Sequence, residues 1–261
     1  MSQTDPYKPL ILISNDDGIE APGVHRLIDY LTDIADIVCM CPDGPRSGQS
    51  MALTVSAALR IKELPPYMGA RMYCTNGTPA DCVKLAMHTV LDRRPDLVVA
   101  GINHGSNAAI NVVYSGTMGA AMEGCAFGIP SVGFSLTDHS MDADFEPCRP
   151  FVRGIVREIL KKGLPEGVCL NVNIPDSETP PSEMRMTRAC RGNWSDEYVP
   201  YMDPHGHPFY MLAGHFHNEE PDATDTDQWM LAHGIVSVVP VALERTATMP
   251  KDFLDMRADK D

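Results

Sequence analysis

The chain has 261 residues, 44% of them hydrophobic, which is enough apolar content for a packed core. Its formal net charge of −14 argues against a protein that coats nucleic acid, because affinity for a polyanion comes from lysines and arginines meeting phosphates. The polar opening "MSQTDPYKP" does not read as a secretory signal, and no apolar run approaches the roughly 20 residues that span a bilayer, so a cytoplasmic protein without membrane association is expected.

In chain order, "LILIS" predicts a strand, followed by a helix from about Pro22 to Leu31, the strand "DIVCMC" and a helix from about Pro79 to Leu91. Then come the strand "DLVVAG", a loop rich in Asn, Gly and Ser, and a helix of small residues from about Thr117 to Phe127. The strand "IPSVGFS", a helix from about Cys148 to Lys162 and the strand "VCLNVNIP" follow. Apolar strands without a polar face, alternating with helices, indicate an α/β, doubly wound, mostly parallel sheet covered on both sides. After Pro175 the pattern changes: "DSETPPSE" is a loop, and "EYVPYMDPHGHPFYML" suggests a β-hairpin turning near His205 and Gly206. The strand "GIVSVVPV" and a charged ending, "KDFLDMRADKD", close the chain. We read one domain, with a core over about 10–175 and an extension over 176–261. The eight cysteines, at positions 39, 41, 74, 82, 125, 148, 169 and 190, form no CxxC pair and read as reduced, mostly buried thiols.

Ligands of parallel α/β sheets gather beyond the carboxyl ends of the strands. Asp16 and Asp17 follow the first strand there, and both can face one ion only if the strand has given way to a turn, which Gly18 permits. Alone, Asn-Asp-Asp-Gly is equally a solvated turn whose aspartates cap the next helix. Other strand ends add weight. Ser47, in "CPDGPRSGQS", and Asn103, just past "DLVVAG", would complete an all-oxygen set suited to a divalent ion, Mg²⁺ or Mn²⁺. Ser115, Gly116 and Thr117 open the small-residue helix and offer hydroxyls and backbone N–H groups to an anion. Adjacent metal and anion sites suit phosphate-ester hydrolysis. "GTPADC" reads as a capping box with a structural role. The His205/His207 and His215/His217 pairs could meet in a metal site on adjacent strands, but without acidic or cysteine partners they are expected to decorate the hairpin.

The blocks "ILISNDDGIEAPG", "PRSGQS", "GTPADCVKL", "DLVVAGINHGSN", "YSGTMGAAMEG", "GIPSVGFS", "LNVNIP" and "HGIVSVVP" occur in the order seen in the SurE, or survival-protein, family of metal-dependent nucleotidases, which the chain resembles from about Leu10 to Val241. The resemblance implies a Rossmann-like fold and a phosphatase acting on nucleoside 5′-monophosphates, often also 3′-monophosphates, with one divalent ion per subunit. It puts the metal ligands at Asp16, Asp17, Ser47 and Asn103, and the phosphate contacts at Asn107, Ser115, Gly116 and Thr117. It also implies a homodimer or homotetramer in which the hairpin, here Glu197 to Leu212, is exchanged between subunits. Asp16 stands as base, nucleophile or ligand only; water activated at the ion, with Asp16 nearest the reaction, is the expected mechanism. Two departures stand out: Pro45 replaces the usual Asn before Arg46-Ser47-Gly48, and Ala108-Ala109-Ile110-Asn111 replaces a glycine followed by an acidic residue.

Three rival readings compete with this one. A receiver-type signalling module needs an Asp ending its third strand and a Lys ending its fifth, and neither is present. A haloacid-dehalogenase-like phosphatase needs Asp-x-Asp, which adjacent aspartates do not supply. The alternative that the sequence leaves open is a non-catalytic protein that binds a divalent metal and nucleotide.

Overall fold

The structure, a computed structural model, describes residues 7–140 and 142–248. The first six residues of the polar opening and the charged ending lie outside the described residues. Strand β1 (Leu10–Ser14), helix α1 (Pro22–Leu31) and strand β2 (Asp36–Pro42) form where the pattern predicts. Two unannounced strands, β3 (Ile61–Tyr67) and β4 (Ala70–Thr75), then pair antiparallel. Pro65 and Pro66 are tolerated in β3 because it is the outermost strand, with one side free of ladder bonds. Helix α2 (Pro79–Leu85) continues as a π-helical turn over Ala86–Val90. Next come β5 (Leu97–His104), the single turn α3 (Asn111–Tyr114), α4 (Gly116–Ala126), β6 (Ser131–Leu136), α5 (Arg149–Lys162) and β7 (Val168–Ile174). The expected long loop after β5 is therefore shorter, since β5 runs on to His104 and α3 fills part of the remainder.

The last elements are β8 (Met184–Met186), β9 (Gly192–Ser195), β10 (Tyr198–Met202), β11 (Pro208–Leu212), β12 (His215–Asn218), α6 (Asp227–Ala232) and β13 (Val236–Ala242). The main sheet has the order β3-β4-β2-β1-β5-β6-β7-β13-β8. From β4 to β7 all neighbours are parallel, whereas β13 runs antiparallel to β7. The chain winds outward from β1 through β2 and β4, then returns to place β5 on the other side of β1. Strand order thus reverses between β1 and β5, the place beyond the strand ends where open α/β sheets bind their ligands.

Alternation explains why β1 is apolar throughout. Ile11 and Ile13 pack with α1 and α5 through Val24, Leu27, Val152 and Ile155, while Leu10 and Leu12 face α2 and α4 through Val83, Met118 and Ala121. All eight cysteines are free and buried. Outside the sheet, β9 pairs with β12 and β10 with β11, giving a long ribbon that turns at Asp203–His207. Asp203 holds the turn by accepting the His205 and His207 amides, each at 2.8 Å. His205 and His207 therefore sit at the ribbon tip and His215 and His217 on β12, so the two pairs lie on different parts of the ribbon and decorate it.

Candidate functional site

After Ser14 the chain stops being a strand. The Asn15 side chain closes a turn on itself: its Oδ1 accepts the Gly18 N–H and its Nδ2 donates to the Gly18 carbonyl, both at 3.2 Å. Gly18 takes φ +103°, and a Cβ there would lie 3.1 Å from the Gly44 backbone, so the turn requires glycine. Asp16 and Asp17 occupy the bend. They do not cap α1, whose N-cap is Ala21 without a side-chain bond. The capping reading of the acidic pair is thereby excluded.

Asp16 is buried and Asp17 is partly exposed. The Thr117 hydroxyl, in the first turn of α4, donates to Asp16 Oδ1. On the β5 side, the His104 backbone N–H donates to Asp17 Oδ2 at 3.3 Å, and His104 Nδ1 lies 3.4 Å from the same oxygen. Asn103, next to it, uses its Nδ2 to donate to the Gly105 carbonyl at 2.9 Å, which leaves its amide oxygen for another partner. Ser47 sits on an exposed loop tied to the bend by one backbone bond, from Arg46 N–H to the Asp16 carbonyl at 2.7 Å. The capping box has the expected form, Thr78 accepting the Asp81 amide and Asp81 accepting the Thr78 amide. It also fastens that loop further along, because Asp81 accepts the Thr54 amide and Thr78 donates to the Ala52 carbonyl.

Burial pushes the Asp16 carboxyl up to about 6; the Thr117 hydroxyl works against this and the charge of Asp17 adds to it. The acidic pair has no cation among those main influences. Two carboxylates and neutral oxygens are the donors that a hard divalent ion takes, so the residues present fit one. Among the described residues, no group of three or more His, Cys, Asp or Glu side chains gathers to form a different metal centre.

The anion side differs in detail from the expectation. Ser115 caps α4, its Oγ accepting the Met118 amide at 3.0 Å, and the Thr117 hydroxyl is turned toward Asp16. What the helix start offers is chiefly the backbone N–H of Gly116, since both the hydroxyl and the N–H of Thr117 bear on Asp16. Asn107 is clamped from three directions. Its N–H donates to Asn173 Oδ1, its carbonyl accepts from Asn171 Nδ2, and its own Nδ2 donates to Ser135 Oγ, all at 2.8 Å. Asn171, Asn173 and Ser135 are buried on β7 and β6, and Asn173 Nδ2 donates to Asn171 Oδ1 at 3.0 Å. The signal for this support was two asparagines, two apart, in the otherwise apolar strand "VCLNVNI". His104 had no comparable signal, since its contact arises only when β1 and β5 pair.

The family described as Survival protein SurE matches residues 11–196. The chain belongs to the SurE family. A protein named 5′-nucleotidase SurE from Phocaeicola vulgatus is 48% identical over 92% of this chain and 93% of its own length. Another of that name, from Bacteroides thetaiotaomicron, is 47% identical over 92% of each chain. The crystal structure of the SurE protein from Aquifex aeolicus superposes with a TM-score of 0.78 at 35% identity, covering 91% of this chain and 95% of that one. SurE membership and the parallel, doubly wound sheet therefore agree.

Proposed function

We propose that this SurE chain is a metal-dependent phosphatase that hydrolyses nucleoside 5′-monophosphates to nucleoside and phosphate. The observation that carries this is the meeting of Asp16, Asp17 and the start of α4 at the reversal between β1 and β5, in a chain whose relatives are named 5′-nucleotidases. In this reading Asp16, Asp17, Ser47 Oγ and the Asn103 amide oxygen hold one divalent ion, Mg²⁺ or Mn²⁺. Such an ion supplies positive charge to the phosphoryl oxygens and lowers the pKa of water.

The chain's own groups do the rest. In this reading the phosphate oxygens are met by Asn107, Ser115, Gly116 and Thr117, with the Gly116 N–H at the helix start as the chief donor. Thr117 fixes one oxygen of Asp16, leaving Oδ2, which lies against Gly116, to take the proton of the attacking water. The protein acts as a single-domain cytoplasmic enzyme, a homodimer or homotetramer assembled through the ribbon over residues 197–212. No helix of the described residues is long and apolar enough to cross a membrane.

The test is phosphate release from 5′- and 3′-monophosphates with Mg²⁺, Mn²⁺ or no ion. Release should require the ion, and Asp17→Asn should abolish it while the thermal melt stays cooperative. Full activity after exhaustive chelation overturns the metal reading; binding of a monophosphate without release would favour the non-catalytic alternative.

A further inference from the structure

A cleft of about 390 Å³ lies between the core and the base of the ribbon. That size falls within the range of roughly 300–1,000 Å³ typical of small-molecule sites. Its core wall contains Gly48 and Tyr114; its ribbon wall contains Trp194 and Tyr198. Gly48 directly follows Ser47, and Tyr114 directly precedes Ser115, so the cleft adjoins both halves of the proposed site. The two core loops are joined there by a bond from the Ser50 N–H to the Tyr114 carbonyl at 3.0 Å.

Trp194 is held in place. Its Nε1–H donates to Asn111 Oδ1 at 2.8 Å, and its ring meets the edge of Phe216, its cross-strand partner, at 6.0 Å. Asn111 belongs to the segment where this chain departs from the family pattern. Tyr114, by contrast, is 53% exposed and free to close on a flat ring.

We infer that this cleft is the nucleobase subsite, with Trp194 as the specificity-determining residue that stacks on the base. The inference rests on the proposed phosphatase reading. In a nucleoside 5′-monophosphate the ribose separates phosphate from base. With phosphate at Ser115–Thr117, the sugar crosses Tyr114 and Gly48, and the base reaches the ribbon wall. A strongly acidic chain has little to gain from a charged contact with a neutral base, and aromatic faces suit any base because every base has a π-face. The cleft therefore separates nucleotides from simple sugar phosphates while tolerating different bases.

Kinetics of Trp194→Ala on adenosine 5′-monophosphate, uridine 5′-monophosphate and ribose 5-phosphate test this. The variant should lose roughly tenfold or more in kcat/KM on both nucleotides relative to ribose 5-phosphate, through KM, and Trp194→Phe should recover most of the loss. An equal loss on all three substrates makes Trp194 merely structural and overturns the assignment. So does a changed molar mass in light scattering with an unchanged substrate ratio, which would give the cleft to a second copy of the chain. A binding readout keeps the subsite and the activity apart. The chain has two tryptophans, so in Trp229→Phe, excited at the red edge where tyrosine does not absorb, only Trp194 emits. Adenosine should quench that emission and ribose should not. Quenching without phosphate release from any monophosphate would sink the phosphatase reading and leave the cleft standing; no quenching by adenosine would sink the cleft.

Discussion

Ionised Asp16 is costly to the folded protein. Its carboxyl titrates near 6 in the folded chain against 3.8 ordinarily, because burial disfavours the charge and Asp17 repels it. Below pH 4 the group is protonated in folded and unfolded chains alike and costs nothing. Between pH 4 and 6 the unfolded chain gives up the proton first, so stability falls as pH rises, by roughly 3 kcal/mol in total from this group. A cation on the ionised pair reverses the sign, and protons compete with it below about pH 6. The increase in melting temperature on adding Mn²⁺ should therefore be larger at pH 7.5 than at pH 5. Asp16→Asn should lose that increase yet melt higher than the parent in chelator at pH 7.5. Equal increases at both pH values would remove Asp16 from the ion. At this scale the acidic bend and its approach to the start of α4 were legible because polar residues punctuate the strand ends there, while Ser47 lies on an exposed loop that the Arg46 N–H ties to the bend. The clamp on Asn107 and the contact between His104 and Asp17 were not, because each needs partners from other strands.

Helix α4 shows how an element can be selected for closeness. Its residues from Gly116 to Cys125 are all buried, and small side chains let it approach both the sheet and the acidic turn. A Cβ at Gly116 would lie 2.7 Å from Asp16 Cβ and 2.8 Å from its Oδ2. Gly116→Ala should therefore push Asp16 from its place and lower turnover by roughly a hundredfold, the scale expected for a misplacement near 1 Å. Steady-state kinetics together with Mn²⁺ titration check this; unchanged values for both would mean that the carboxylate moves without consequence. Core strands and long helices were readable from apolar runs and caps, as α1 and the Thr78 capping box attest. The pair β3–β4 was not, because two prolines and an exposed face hide an edge strand from any periodicity argument.

For the molecule as a whole, the ribbon is the feature that the core does not explain. Every residue of β10 and β11 is exposed, including Tyr198, Tyr201, Met202, Phe209, Tyr210 and Leu212, and such a strand pair has little stability alone. Glu197 and Ala213 are already joined by a 2.8 Å backbone bond, so residues 198–212 can be replaced by a short turn. That deletion should yield monomers in light scattering, and an intact dimer would show that assembly lies elsewhere. The pairing of β1 with β5 has a different consequence, one of timing. Asp17 and His104 are 87 residues apart and meet only across that ladder. During synthesis the acidic pair is made long before β5, so until that ladder forms it lacks its β5 neighbours. In the proposed reading, a divalent ion held by Asp16, Asp17 and Asn103 therefore binds after β1 and β5 have paired and does not template the fold.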